Sequence, residues 1–317
     1  MKEKKDIRSL SIEELTSFFK SNNMPSYRAN QVYNWLWKKS CLSFDEMTNI
    51  SLELRNLLKS KFVINHIKID KLQKSKDGTI KNAISLYDNL LVESVLIPTK
   101  SRTTACISSQ VGCSLDCDFC ATSKMDRIRN LNPDEIYDQA VTINSQSLKY
   151  HDRPISNIVF MGMGEPLLNY SNVIKGIDKI TSKEGLGMSP KRITVSTSGI
   201  SKLIIKMADD NVKFNLAISL HSAIEKTRNK IMPFSKKFPL ENLLEAVKYW
   251  YLKTNKIVTY EYIVWEGIND DEDHINALVN FCKSSPSKVN LIEYNTTDNN
   301  FFRSAKNKAI EEYVNKL

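Results

Sequence analysis

Three cysteines within eight residues, Cys113-Ser-Leu-Asp-Cys117-Asp-Phe-Cys120, constrain this chain more than any other stretch. Three thiolates on one loop can bind three irons of a four-iron, four-sulfur cluster, leaving the fourth iron open to a small molecule. Structural zinc is the competing use of such a run, but it wants four ligands. No His lies nearby, since His151 and His221 are remote in sequence. Disulfides are disfavoured. A chain of 317 residues can bury a sizeable core without covalent support. The opening Met1-Lys2-Glu3-Lys4-Lys5-Asp6 carries no apolar run of the kind a signal peptide needs. No stretch approaches the ~20 apolar residues of a membrane helix. The expected setting is the cytoplasm, with no membrane partner, where clustered thiols stay reduced and hold metals or do chemistry.

Lys plus Arg number 45 against 36 Asp plus Glu, a formal charge of +9. That excess suits a polyanionic partner such as nucleic acid. Lysines scattered for solubility produce the same total without forming a patch. Charge alone leaves both readings open.

The pattern of elements places the cysteine run. Residues 10–62 read as helical: Ser11 with Glu14 three residues on is a capping-box signal, with Leu15, Phe18 and Phe19 on one face. Further helices are expected from Arg28 to Trp37, with Trp35 and Trp37 as core anchors, and from Leu52 to Leu58. Residues 63–100 shift to short strands around an Asp77-Gly78 hairpin dipeptide. After Thr99, strands and helix-length segments alternate, with strands expected at 103–109, 157–163, 192–197, 214–220, 257–264 and 288–294. Such alternation predicts βα units on a parallel sheet, and six strands suit an incomplete barrel better than a closed eight-stranded one. The expected division is a helical accessory domain at 1–62, a β-rich connecting segment at 63–100 and a core at 101–317. The cysteine run then follows the first strand of that core.

The motifs around it are specific. Ser108-Ser109-Gln110-Val111-Gly112 precedes Cys113, and Ala121-Thr122 follows Cys120. Met161-Gly162-Met163-Gly164-Glu165-Pro166-Leu167-Leu168-Asn169, Ser196-Thr197-Ser198-Gly199 and Ala217-Ile218-Ser219-Leu220-His221 come in order after it. Together with Tyr27-Arg28-Ala29-Asn30-Gln31-Val32 and Ser43-Phe44-Asp45-Glu46-Met47, they resemble the RlmN/Cfr group of radical S-adenosylmethionine RNA methyltransferases, nearer its RlmN branch. The resemblance runs from about residue 10 to the end.

It implies a radical S-adenosylmethionine fold, an α/β partial TIM-like barrel of six strands and six helices behind a small helical RNA-binding domain. The cluster would sit on Cys113, Cys117 and Cys120. Gly164, Glu165, Ser196, Ser219, Leu220, His221 and Asn295 would hold S-adenosylmethionine. Read on their own, Ser196 is a capping serine and His221 a satisfied buried histidine; it is their recurrence after successive strands that favours a ligand edge. Cys106, seven residues before Cys113, matches the group's resolving cysteine, although a lone strand cysteine is usually a small core residue. Glu93 matches a proton-accepting glutamate, and a carboxylate inside an apolar strand is costly to bury without purpose. If that strand has a wet face, Glu93 is merely solvated.

The implied reaction is methylation at C2 of an adenosine in 23S rRNA and in certain tRNAs, with a flavodoxin-type electron donor and a monomeric enzyme. In this group the methyl group travels on a second cysteine near the C-terminus. The only cysteine here after the cluster motif is Cys282, in an expected helix, and its position does not match. The alternative is therefore a radical S-adenosylmethionine protein with altered or lost methyl transfer. Ser123, where a glycine is usual, and Glu293, where a proline is usual, are smaller departures.

Overall fold

Caps, turns and alternating apolar runs set the elements, seen in a computed structural model that describes residues 4–294 and 301–317. The first half holds α1 (Ile12–Ser21), α2 (Tyr27–Trp37), α3 (Leu52–Lys61), β1 (Lys68–Lys74), β2 (Ile80–Ser85), β3 (Leu91–Pro98), β4 (Thr103–Cys106) and α4 (Pro133–His151). There follow β5 (Asn157–Phe160), α5 (Tyr170–Thr181), β6 (Ile193–Thr197), α6 (Ser201–Asp209), β7 (Asn215–Ser219) and α7 (Glu225–Ile231). The chain continues with α8 (Leu240–Thr254), β8 (Val258–Ile263), α9 (Glu272–Lys283), β9 (Ser287–Ile292) and α10 (Asn307–Lys316). Two compact units form. One comprises Met1–Ile107, Leu131–Ile158 and Ser171–Ser189, the other Ser108–Asn130, Val159–Tyr170 and Pro190–Leu317.

In the first unit the capping box forms as its residues dictate. Ser11 Oγ accepts from the Glu14 N–H at 3.2 Å, and Glu14 Oε2 accepts from the Ser11 N–H at 2.7 Å. Leu15 and Phe19 bury against α2, whose inward face is Val32, Leu36 and Trp37. Trp35 departs from the core role expected of it. It is only partly buried, donates to Asn49 Oδ1 at 2.6 Å and lies under the Lys39 ammonium, an arrangement that suits a half-wet indole. Strands β1 to β4 pair antiparallel in sequence order. Gly78, at φ +88°, makes the turn between β1 and β2. In β3, Val92, Ser94 and Leu96 are buried while Leu91 and Glu93 face solvent, the alternation of a sheet with one wet face.

The second unit carries a parallel run, β6 to β7 to β8 to β9. Strand β7 is apolar at successive positions, as a strand covered on both faces must be: Leu216, Ala217 and Ile218 are all buried. Helix α6 packs on α8 and α9 on α10, where Tyr313 donates its hydroxyl to the Asn269 carbonyl at 2.7 Å. Each of the six strands expected beyond Thr99 forms within three residues of its expected ends. Among the described residues no helix is long and apolar enough to cross a membrane.

Candidate cluster and cofactor site

The cysteine loop is held by its own backbone. Cys113 N donates to the Met125 carbonyl at 3.2 Å, Cys120 N to the Cys117 carbonyl at 3.1 Å and Asp118 N to the Ile231 carbonyl at 3.1 Å. Gly112, at φ +73°, allows the loop to close on itself, because a Cβ there would stand 2.0 Å from the Asp126 carbonyl oxygen. Ser123 has a use of its own: its hydroxyl donates to the Cys117 and Cys120 carbonyls at 2.5 and 2.7 Å. Phe119, just before the last cysteine, packs edge-on against His221 and beside Trp265. Cys117 and Phe119 both lean on an apolar cluster of Ile231, Met232, Trp265, Tyr294 and Phe302.

All three thiols line one cavity of about 270 Å³, together with Gly164, Glu165, Ser196, Ser219, His221 and Glu261. Glu165 is 3% exposed, with Oε1 accepting from Leu167 N at 3.0 Å and Oε2 from Ser198 N and Oγ at 2.8 and 2.6 Å. Burial nevertheless pushes its carboxyl above the usual range. Glu261 is buried too and likewise raised by burial, with Asn290 donating to it at 2.6 Å. Burial, reinforced by Cys120 and Cys113, holds the Cys117 thiol well above its ordinary range. Gly164, at φ +92°, lies so close to Gln110 that a Cβ would meet its side chain at 2.4 Å. A cavity lined by three thiols and two buried carboxyls suits a cationic ligand.

Among the described residues no group of three His, Cys, Asp or Glu converges tightly enough to hold a single metal ion. A four-iron cube takes each thiolate on a different iron, so its ligands line a space rather than meet at a point. The three thiols of Cys113, Cys117 and Cys120, spread around one cavity, are a donor set that fits such a cluster.

His221 sits in left-handed backbone at φ +56°. Its Nδ1 accepts from the Ile263 N–H at 3.2 Å, its carbonyl accepts from Asn269 Nδ2 at 2.8 Å, and burial depresses its imidazole to about 3, with Arg228 adding to the fall. The ring is therefore neutral in the folded state. A histidine held below its unfolded value near 6.5 contributes stability present above pH 6.5 and lost as the pH falls towards 3. Its share of the loss between pH 7 and pH 5 is about 2 kcal/mol. His221→Asn, which tolerates left-handed backbone, is expected to flatten the acid limb by that amount in denaturant titrations. An unchanged limb would show that the ring carries no titration cost.

The comparisons with known proteins decide the family. Residues 5–64 match the model for "Ribosomal RNA large subunit methyltransferase N-terminal domain" and residues 107–279 that for the "Radical SAM superfamily". A protein of Flavobacterium johnsoniae named "Probable dual-specificity RNA methyltransferase RlmN" is 63% identical over 315 residues, covering 99% of this chain and 90% of that protein. This chain belongs to the RlmN family. The "Dual-specificity RNA methyltransferase RlmN" of Geobacter sulfurreducens is 40% identical, over 97% of this chain and 84% of its own length. The crystal structure of a radical SAM methyltransferase from Sphaerobacter thermophilus superposes with a TM-score of 0.92 at 31% identity, covering 99% of this chain and 92% of that one. The radical S-adenosylmethionine α/β fold expected from the motifs is thus the fold of this RlmN-family chain, and with it come the four-iron, four-sulfur cluster and S-adenosylmethionine as cofactors.

The remaining expected site residues are distributed as follows. Leu220 is fully buried, its N–H donating to the Glu261 carbonyl at 3.1 Å. Asn295 lies outside the described residues. Glu93 and Cys106 belong to the first unit. Of the two readings left open for Glu93, the solvated one holds: it stands on the wet face of β3, with Lys81 Nζ at 2.7 Å. Cys106 is buried and pairs with Val95 across β3 and β4, which puts it on the same face as Glu93, one residue pair along. Sequence reasoning missed Ser198, Glu261 and Arg228. Glu261 and Arg228 each left a signal: a carboxylate between Tyr260 and Tyr262 in a buried strand, and an arginine on the apolar stripe of Ile224 and Ile231.

Proposed function

We propose that this chain methylates C2 of an adenosine in 23S rRNA, and of adenosine in certain tRNAs, with S-adenosylmethionine as the methyl source. The observation that carries the reading is the single cavity in which Cys113, Cys117 and Cys120 stand beside the buried carboxyls of Glu165 and Glu261. Its support is the identity with proteins named RlmN over nearly the whole chain. When bound, the cluster supplies the electron that breaks a carbon–sulfur bond of the sulfonium. The chain's own groups do the rest. Gly164 and Glu165 receive the cofactor's amino group, while Ser196, Ser219, Leu220 and His221, with Asn295, hold its remaining polar groups. Glu93 takes the proton released from the adenine carbon, steadied by Lys81, and Cys106 is the resolving thiol, whose product-releasing disulfide requires a methyl-carrying cysteine that no position of this sequence matches. Residues 1–62 are the accessory domain that meets RNA, residues 63–100 the connecting segment and residues 101–317 the core. The enzyme works as a monomer in the cytoplasm and draws its electrons from a flavodoxin-type donor.

Nucleosides digested from 23S rRNA and tRNA of cells with and without the gene test the reading by mass spectrometry. Deletion is expected to remove 2-methyladenosine, and restoring the gene to return it. An unchanged profile overturns the assignment, and loss of 8-methyladenosine instead moves the reaction to C8.

A further inference from the structure

Arg228, on α7, is fully buried, and all its hydrogen-bond partners are main-chain carbonyls. Its Nη2 donates to Ser198 O at 2.7 Å and Ser219 O at 3.4 Å, and its Nε to Leu220 O at 3.3 Å. Among the described residues its Nη1 is buried without a partner. Burial opposes its charge, and the acidic groups whose fields would favour it are Glu225 and Cys117. Glu225 is turned to α8, where it accepts from Leu240 N at 2.7 Å. Carbonyl dipoles offset a buried monopole only partly, and an isolated buried charge is among the most expensive groups a fold can keep.

The surroundings of Arg228 lead to the cysteine loop. The carbonyl of Arg228 accepts from Met232 N at 2.8 Å, and that of Ile231, the last residue of α7, accepts from Asp118 N at 3.1 Å. Ile231 and Met232 share an apolar cluster with Cys117 and Phe119. On the other side Gly199, at φ +101°, makes room for the guanidinium, since a Cβ there would lie 3.3 Å from Nη2. A cluster on three thiolates is anionic and takes on a further negative charge when reduced.

We propose that Arg228 is the buried counter-cation of the cluster, fastening the carbonyls of Ser198, Ser219 and Leu220 at the ends of β6 and β7 while its fixed charge eases one-electron reduction. Arg228 is in this sense a positioning residue: it acts through the cluster and the strand ends. The inference rests on the cluster assignment above, and the two can fail separately. Wild-type protein that contains no iron and sulfide sinks that assignment. The inference on Arg228 is tested only by comparing variants with a loaded wild type.

The experiment is a redox titration of the full chain followed by electron paramagnetic resonance, with iron and sulfide content measured in parallel. Arg228→Met is expected to lower the equilibrium constant for cluster reduction at least tenfold, a shift of about 59 mV to more negative potential. Arg228→Lys keeps the charge but loses the fork, and is expected to stay within about threefold of wild type while binding S-adenosylmethionine more weakly. A residue that merely staples carbonyls would move neither potential, and an Arg228→Met potential equal to wild type overturns the proposal. Should Arg228→Met assemble no cluster, Arg228→Gln against Arg228→Lys decides. The neutral glutamine must titrate at the more negative potential, and equal potentials for the two overturn the proposal.

Discussion

Cys117→Ala is expected to give a folded, colourless protein that transfers no methyl group. The thiol lines the same cavity as Cys113 and Cys120 and packs against the apolar cluster around Trp265. Removing it leaves two protein ligands for a cube that needs three, so a second corner is exposed to water and the cluster is lost. The fold should tolerate the change, because trading a partly buried thiol for a methyl group costs about 1 kcal/mol. The backbone bonds that shape the loop, such as Asp118 N to Ile231 O, survive it. Iron and sulfide per chain should fall to background, the thermal midpoint should stay within a few degrees of wild type, and 2-methyladenosine should vanish from substrate RNA. Cys282→Ala is the control. That thiol lies on α9 away from the cavity lining, and the variant should keep its full cluster. Full iron content in Cys117→Ala would remove the central ligand assignment.

Much of this was legible because periodicity and punctuation are local. The six strands beyond Thr99 announced themselves by apolar runs, and the capping box at Ser11 and Glu14 opened its helix. The cavity edge was legible for a related reason: Gly164, Ser196 and Ser219 lie at the ends of successive strands, so a parallel βα order brings them to one end. What resisted reading depends on partners far away in sequence. Trp35 and Trp37 look alike as residues, yet only Trp37 is in the core; at Trp35 an Asn49 acceptor and the Lys39 ammonium favour a half-wet ring. Glu93 left two readings open because only strand pairing decides which face of β3 is wet, and Lys81, which meets it, comes from the adjacent strand. Ser198 was passed over within its own motif because its hydroxyl bond to Glu165 spans 33 residues. Arg228 was hidden most completely, for a buried guanidinium bound to carbonyls has no side-chain partner that a sequence could display.

Arg8→Met should cost the first unit about 3 to 5 kcal/mol, the range observed when one member of a buried ion cluster is removed. The Arg8 side chain is 4% exposed and gathers three acids. Nη1 donates to both oxygens of Asp138 at 2.8 and 2.9 Å, and Nη2 donates to Asp134 Oδ2 at 3.1 Å and to the Asn65 carbonyl. Asp6 stands 3.8 Å from Nε and receives the Arg8 and Asn65 backbone N–H groups at 2.7 and 2.9 Å. Methionine would fill the stem but leave these carboxylates facing one another. Burial already pushes Asp138 up to about 6 against the pull of Arg8, and raises Asp6 too. Without the guanidinium both should rise further. A carboxyl whose folded pKa lies above its unfolded value of about 3.8 keeps its stability contribution below that pH and loses it as pH rises through the folded value. The deficit of Arg8→Met relative to wild type should therefore stay small from pH 4 to about 6, where Asp138 is protonated in both proteins, and grow as the pH rises from there to about 8. Denaturant titrations across that interval measure it, and adding Asp138→Asn should recover part of the loss at neutral pH. A deficit independent of pH would mean that lost packing, not uncompensated charge, is what Arg8 prevents.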